Sequence, residues 1–221
     1  NMGSEDQKQR FLPPLSQGEL IIGMALTEPA LSYDPASILT EASGNDNRYV
    51  IRGEKAPVPY AHVADLIICA ARTEKGTALE DGVSLFLIDR RTKGVSCSLL
   101  ESVADNKQCK VALDGVVASG EQVLGELNRG WAEVKKLTTM ATVAQSAEML
   151  GGAQQVVEMS FDYAKQRVQF GRTIGSFQMV HNRCFDMATY LDIARLFTYQ
   201  AAWMVSEGLP CDKEVAMAKA W

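Results

Sequence analysis

With 221 residues, 47% of them hydrophobic and 22% charged, the chain is long enough for one large domain or two small ones. Its composition is that of a folded globular protein rather than a disordered or fibrous one. A net charge of −5 at pH 7 argues against nucleic acid or an anionic membrane as a partner, and no apolar run approaches the roughly 20 residues of a membrane span. Five scattered cysteines with no C-x-x-C pair point to reduced thiols in a cytosol-like compartment, not to a disulfide framework or a zinc site.

The first element is short. Ser4-Glu5-Asp6-Gln7 has the form of a capping box, and the helix it opens is expected to stop at Phe11, ahead of Pro13-Pro14. It reads as the end of a helical domain covering 1–17. Short apolar strands follow, over 20–26, 38–42, 48–52, 64–71, 83–88, 95–100 and 110–113, with turn chemistry every 8–12 residues. Ser43-Gly44-Asn45-Asp46-Asn47, between the second and third, suggests a hairpin. This spacing is the signature of an antiparallel β-sandwich or barrel rather than of βαβ units. No G-x-G-x-x-G follows a strand, so a Rossmann nucleotide site is not expected.

From Trp131 the period becomes helical. The stretch 131–169 contains no proline and can form one helix of roughly 55–60 Å. Gly151-Gly152 lies in its middle, where each glycine costs about 1 kcal/mol against alanine; the expected return is close approach of another backbone. A second helix carries Phe177, Val180, Cys184, Met187, Leu191 and Ala194 in one apolar stripe and ends at Gly208-Leu209-Pro210. Asp212 is expected to cap a third helix that runs to Trp221. A two-helix hairpin and a stub cannot bury both faces, so bundle partners are expected in further residues or another subunit. The fold class is therefore α+β: an antiparallel β-barrel or sandwich over 18–126, then part of an antiparallel helical bundle over 127–221.

The corner between the long helices, RVQFGRTIGSFQ over 167–178, holds the strongest functional signal. Gly171-Arg172-Thr173 breaks the first helix and Ser176 can cap the second. Two arginines, exposed backbone N–H groups and a helix N-terminus suit a phosphate-bearing cofactor. A plain turn with solvated arginines is the alternative. His62 reads as a surface loop residue, and His181 as a phosphate or partner contact or a solvated group. Neither has cysteine or carboxylate neighbours at ligand spacing, so no metal is expected. The Lys135-Lys136 and Arg90-Arg91 pairs read as solvated charges.

Order and motif together resemble the acyl-CoA dehydrogenase family. The resemblance rests on GSEDQKQRFLP at 3–13, MALTEPALSYD at 24–34, GEKAPVPYAHVADLIICAAR at 53–72, VLGELNRGW at 123–131 and RVQFGRTIGSFQ at 167–178. It implies an FAD enzyme of fatty acid metabolism that removes the α-proton of an acyl-CoA with a glutamate while the β-hydride passes to the flavin. It also implies a homo- or hetero-oligomer, usually a homotetramer built as a dimer of dimers, and an electron-transfer flavoprotein as a partner. Its place would be cytoplasmic, or the mitochondrial matrix in a eukaryote. On this resemblance Arg167 and Gln169 reach FAD phosphates and adenosine, typically of a neighbouring subunit, with Phe170, Phe177 and Gln178 on the adenosine side. Met24, Leu26 and Thr27 lie along the isoalloxazine, Thr27 offering a backbone N–H and a hydroxyl, and Val58 and Pro59 stand at the same end.

Three departures from the family pattern stand at the flavin end. Tyr33 occupies the position of a serine that contacts cofactor and acyl-CoA. Pro57-Val58-Pro59 replaces a tryptophan that covers the flavin and a threonine that bonds to N5, and proline has no N–H to donate. Ala141 falls where some members place the catalytic glutamate, and Thr142 where an arginine follows it. Glu148 lies about 10 Å along the helix, beyond reach. The base is therefore absent from 1–221 or lies past Trp221. Two readings result: a catalytic dehydrogenase, or a non-catalytic subunit that completes a partner chain's FAD site.

Overall fold

The computed structural model describes residues 2–32, 34–45, 47–74, 80–103 and 106–221, and divides the chain into two compact units, 1–134 and 135–221. Tyr33 lies outside the described residues. The first unit opens with α1 (Glu5–Ser16), whose capping box forms as expected: Gln7 N–H donates to Ser4 Oγ at 3.1 Å and Ser4 N–H to Gln7 Oε1 at 3.0 Å. Contrary to expectation the helix does not stop at Phe11. Pro13 and Pro14 lie inside it, because the carbonyls they leave unpaired, on Gln9 and Arg10, belong to exposed residues that water can serve.

Eight strands then build one sheet: β1 (Ile22–Ala25), β2 (Glu41–Asn45), β3 (Arg48–Pro59), β4 (Leu66–Arg72), β5 (Val83–Asp89), β6 (Val95–Leu100), β7 (Gln108–Ala118) and β8 (Val123–Leu124). Their order is β6-β7-β3-β2-β4-β5-β8, with β1 beside β4. The β2–β3 hairpin is present, but Ser43, Gly44 and Asn45 belong to its first strand, which pairs through to Asn45↔Arg48. The sheet is mixed rather than wholly antiparallel. β1 runs parallel to β4 from Ile22↔Leu66 to Ala25↔Cys69, a pairing between strands too far apart in sequence for local turn chemistry to reveal. Tyr49 on β3 meets Phe86 on β5 edge-on at 5.3 Å although β2 and β4 lie between those strands, so the sheet curls over its own core. That core gathers Ile51, Val58, Ile67, Cys69, Phe86, Val111 and Val116, all at most 1% exposed.

The first turn of α2 (Gly130–Gln166) packs Trp131 and Val134 against Val83 and Leu85 within the first unit. Gly130 is required there: a Cβ would stand 3.0 Å from the Leu85 side chain. The rest of α2 belongs to the second unit, with α3 (Gln178–Ser206) and α4 (Asp212–Ala220). Val180, Cys184, Met187, Leu191 and Ala194 are half-buried, as the apolar stripe predicts. Gly208, at φ +65°, closes α3: its N–H reaches Val205 O at 3.2 Å and Leu209 N–H reaches Met204 O at 2.9 Å. The start of α4 differs from expectation. Asp212 is the first residue of α4, not its cap, and its carboxylate pairs with Lys135 at 2.7 Å. That ion pair also corrects the view of Lys135 as merely solvated. Gly151 and Gly152 meet nothing within 4 Å among the described residues, so the expected close approach is not made inside this chain.

Candidate functional site

The corner is a miniature hairpin, which the sequence reading missed. α2 ends at Gln166, and β9 (Val168–Gln169) pairs with β10 (Arg172–Thr173) through Arg172↔Gln169 and Thr173↔Val168. Phe170 at φ +53° and Gly171 at φ +79° form its tip, the two left-handed positions of a type I′ turn. Glycine takes that conformation freely; phenylalanine does so at a cost. The result holds Phe170 93% exposed, edge-on to Phe177 at 6.2 Å. Cross-strand pairing puts Gln169 and Arg172 on one face of the ribbon. The Arg172 guanidinium lies 4.1 Å over the Phe177 ring.

Ser176 does not cap α3; its hydroxyl donates to Thr173 O at 2.7 Å, and Phe177 takes the cap position without a side-chain bond. The first amides of the helix are therefore left without that partner. Gln178 is exposed as the first residue of α3, and Arg167 is exposed at the end of α2. Among the described residues no carboxylate pairs with Arg167 or Arg172, whereas nearby Lys165 and Arg183 pair with Asp162 and Asp186. Gly175 makes the close approach expected of Gly151: a Cβ on it would stand 3.0 Å from Ala164 O. Beside this contact runs a groove of about 370 Å³ lined by Phe161, Ala164, Thr173, Gly175, His181 and Cys184, among others. His181 thus faces a groove rather than open solvent alone.

The ring end of the expected site lies in the first unit and is built differently. Met24 is 37% exposed, Leu26 is half-buried, and Val58 is wholly buried in the sheet's core, so Val58 offers only its backbone to a ligand. Thr27 hydroxyl donates to Pro57 O at 3.0 Å, and Ala56 N–H donates to Thr27 O at 3.1 Å. In this arrangement the Thr27 hydroxyl meets a further ligand as an acceptor. His62 is half-buried with Nδ1 3.6 Å from Cys109 Sγ, not a free surface histidine. Arg90, read as solvated, donates through Nε to Ala64 O at 3.0 Å.

Beneath this segment lies a pair the sequence reading passed over. Lys55, fully buried, donates to Glu28 Oε1 at 2.8 Å and to Leu26 O at 3.3 Å, while Glu28 also accepts from Leu39 N–H and Thr40 N–H at 2.9 Å each. Burial alone raises the Glu28 carboxyl. The Lys55 charge and hydrogen bond with the two backbone donors outweigh it and hold the group below its ordinary 4.5. A signal did exist: alternation from Tyr49 and Ile51 carries Lys55 to the inner face, where a lysine needs a counter-charge. Ala141 and Glu148 are both exposed on α2.

The donor set of the hairpin fits the nucleotide end of FAD: guanidinium groups with no carboxylate partner, free helix amides and an exposed ring. The ring end fits through Met24, Leu26 and the Thr27 backbone, with Pro57 and Pro59 adding no donors.

Comparison with known proteins gives the family. Residues 23–116 match the acyl-CoA dehydrogenase middle-domain model and residues 128–221 the acyl-CoA dehydrogenase C-terminal-domain model. The chain is 34% identical to a 3-(aryl)acrylate reductase of Clostridium sporogenes, over 99% of this chain and 58% of that protein. It is 31% identical to the caffeyl-CoA reductase-Etf complex subunit CarC of Acetobacterium woodii, over 98% and 58%. Among solved structures the FAD complex of PigA superposes with a TM-score of 0.92 at 30% identity, over 98% of this chain and 57% of that one. The chain thus spans under two thirds of the length of the proteins it matches.

Proposed function

The chain belongs to the acyl-CoA dehydrogenase family, and from that premise we propose that the intact protein is an FAD-dependent oxidoreductase acting on the Cα–Cβ bond of an acyl-CoA thioester. The observation that carries this reading is the hairpin at 167–178, with two arginines that have no carboxylate partner among the described residues and an exposed Phe170 held at a left-handed position. Bound FAD supplies the acceptor for the β-hydride. Arg167, Gln169 and Arg172 hold phosphates, Phe170 and Phe177 take the adenine, and Gln178 bonds to the adenosine, on the FAD of a second subunit. Thr27 meets the pyrimidine edge, and Tyr33 the acyl-CoA. The α-proton goes to a carboxylate outside these residues, since Ala141 has no acid and Glu148 is out of reach.

In the same reading, residues 1–17 end an N-terminal helical domain, 18–126 form the central β domain and 127–221 part of the helical bundle. The assembly is an oligomer in a cytoplasmic or mitochondrial-matrix compartment, with an electron-transfer flavoprotein as redox partner. The names of the two reductase relatives favour an aryl-acrylyl thioester in its reduction, which is the same chemistry reversed.

Anaerobic addition of saturated acyl-CoA thioesters to the flavin-loaded intact protein is expected to bleach the flavin absorbance with at least one of them, 3-arylpropionyl-CoA included. A flavin that stays oxidised with all of them contradicts the reading.

A second reading is supported by Pro57 and Pro59, which supply no N–H where a donor to the flavin is expected, together with Ala141. In it the protein is a non-catalytic subunit that lends its hairpin to another chain's FAD. Its expected mark is sub-stoichiometric flavin in the protein purified alone, restored when it is co-purified with a related dehydrogenase.

A further inference from the structure

We infer that the buried Lys55–Glu28 pair is a positioning device for the flavin edge, an inference that rests on the flavin reading above. The bonds are consecutive on both sides. Leu26 O receives Lys55 Nζ at 3.3 Å, Thr27 O receives Ala56 N–H at 3.1 Å, Thr27 Oγ1 donates to Pro57 O at 3.0 Å, and Glu28 Oε1 receives Lys55 Nζ at 2.8 Å. Residues 26–28 are therefore fastened, one after another, to residues 55–57 of β3. In the flavin reading Leu26 and Thr27 lie along the isoalloxazine, and residues 55–57 lead directly into Val58 and Pro59 at the same end. Glu28 extends the tie to a third segment through Leu39 and Thr40 N–H.

Stability alone does not account for this arrangement. A buried ion pair is commonly matched or exceeded by apolar residues of the same size, and the sheet's core holds a large apolar cluster into which such residues could extend. What an apolar pair cannot supply is direction. Lys55 bonds to the Leu26 carbonyl and so holds the peptide plane before Thr27, Ala56 N–H holds the plane after it through Thr27 O, and the Glu28 carboxylate keeps the Lys55 ammonium in place between them. With Pro57 and Pro59 unable to donate, those planes carry more of the flavin contact than in a chain with two amide donors on β3.

The test compares the intact protein with its Lys55→Met/Glu28→Leu double variant, in which no buried charge is left alone, and with Lys55→Arg. Hydrogen exchange at 26–28 is followed without flavin, and FAD affinity and the visible flavin spectrum with it. The double variant is expected to fold with a lowered melting temperature, since Leu39 and Thr40 N–H lose their acceptor, to exchange 26–28 faster, to bind FAD about tenfold or more weakly and to shift the flavin band. Lys55→Arg is expected to restore part of each. Unchanged exchange, affinity and spectrum in the double variant overturn the inference while leaving the flavin reading intact. Wild-type protein that binds no FAD overturns the flavin reading and the inference with it. A double variant that fails to fold, with Lys55→Arg wild-type in affinity and spectrum, also overturns the inference, because the pair is then only structural.

Discussion

The two units spend their polar groups in opposite ways. In the β unit, Thr27, Lys55, Glu28, Leu39 and Thr40 bond to one another, and large side chains such as Ile51, Phe86 and Val111 are sealed in one core. In the helical unit Phe185, Leu196, Tyr199 and Trp203 are each at least 58% exposed, Arg167 is exposed, and Phe170 projects from its turn. One unit closes on itself and ties residues 26–28 to β3. The other presents apolar and cationic groups outward, as a surface meant to be covered does.

The largest effect expected to break this comparison is Lys55→Met alone. It strands a buried glutamate and should destabilise the β unit by about 3–5 kcal/mol in chemical denaturation. A loss under about 1 kcal/mol would mean that Glu28 finds water or takes a proton, and that the unit is less closed than its geometry suggests. Gly53→Ala should also cost the β unit dearly, because its Cβ would stand 2.4 Å from Thr40 Oγ1. Gly151→Ala in the 221-residue chain should do the reverse and stabilise the helical unit by about 0.5–1 kcal/mol, since none of the described residues stands within 4 Å of the added Cβ. If the same change weakens the intact protein's assembly on a sizing column, Gly151 is where a partner backbone lies.

The pH dependence should separate the units as well. The Glu28 carboxyl is held below its ordinary 4.5 in the folded protein. Its contribution to stability is therefore full above the unfolded value and is lost as pH falls through the lower folded one. Unfolding of the β unit followed by denaturant midpoint should steepen below about pH 4.5, and Glu28→Gln with Lys55→Met should remove that slope. The smallest effect concerns the thiols. Burial pushes Cys69 to about 11, and burial with the neighbouring Cys109 thiol pushes Cys97 to about 11. Cys69, which is also fully buried, should alkylate far more slowly at pH 8 than Cys184, whose burial is only partial.

What the sequence disclosed followed from how local each feature is. The capping box at Ser4 and Gln7, the strand at Val95–Leu100 and the Gly208 stop on α3 each depend on residues within a few positions, and each was legible. The parallel partner of β1 and the counter-charge of Lys55, which lies 27 residues from Glu28, are set by tertiary structure and left only an odd lysine in the strand pattern as a trace. The hairpin at the corner escaped for another reason. Its strands are two residues long, and the left-handed position at its tip is filled by Phe170, a residue with no intrinsic leaning to it. That mismatch between residue and backbone is itself informative, because strain of this kind is kept where a side chain must be displayed. For the residues expected at a flavin end the motif did not convey geometry: Val58 proved to face the core and the Thr27 hydroxyl to bond within the protein.

The central claim, that the hairpin grips the nucleotide end of FAD, is tested most directly by the FAD dissociation constant of the intact protein carrying Arg167→Ala, measured by flavin fluorescence against wild type. Affinity should fall about 10–100-fold, the worth of a charged hydrogen bond to phosphate, with an unchanged melting temperature for the flavin-free protein. Wild-type affinity in that variant would contradict the claim.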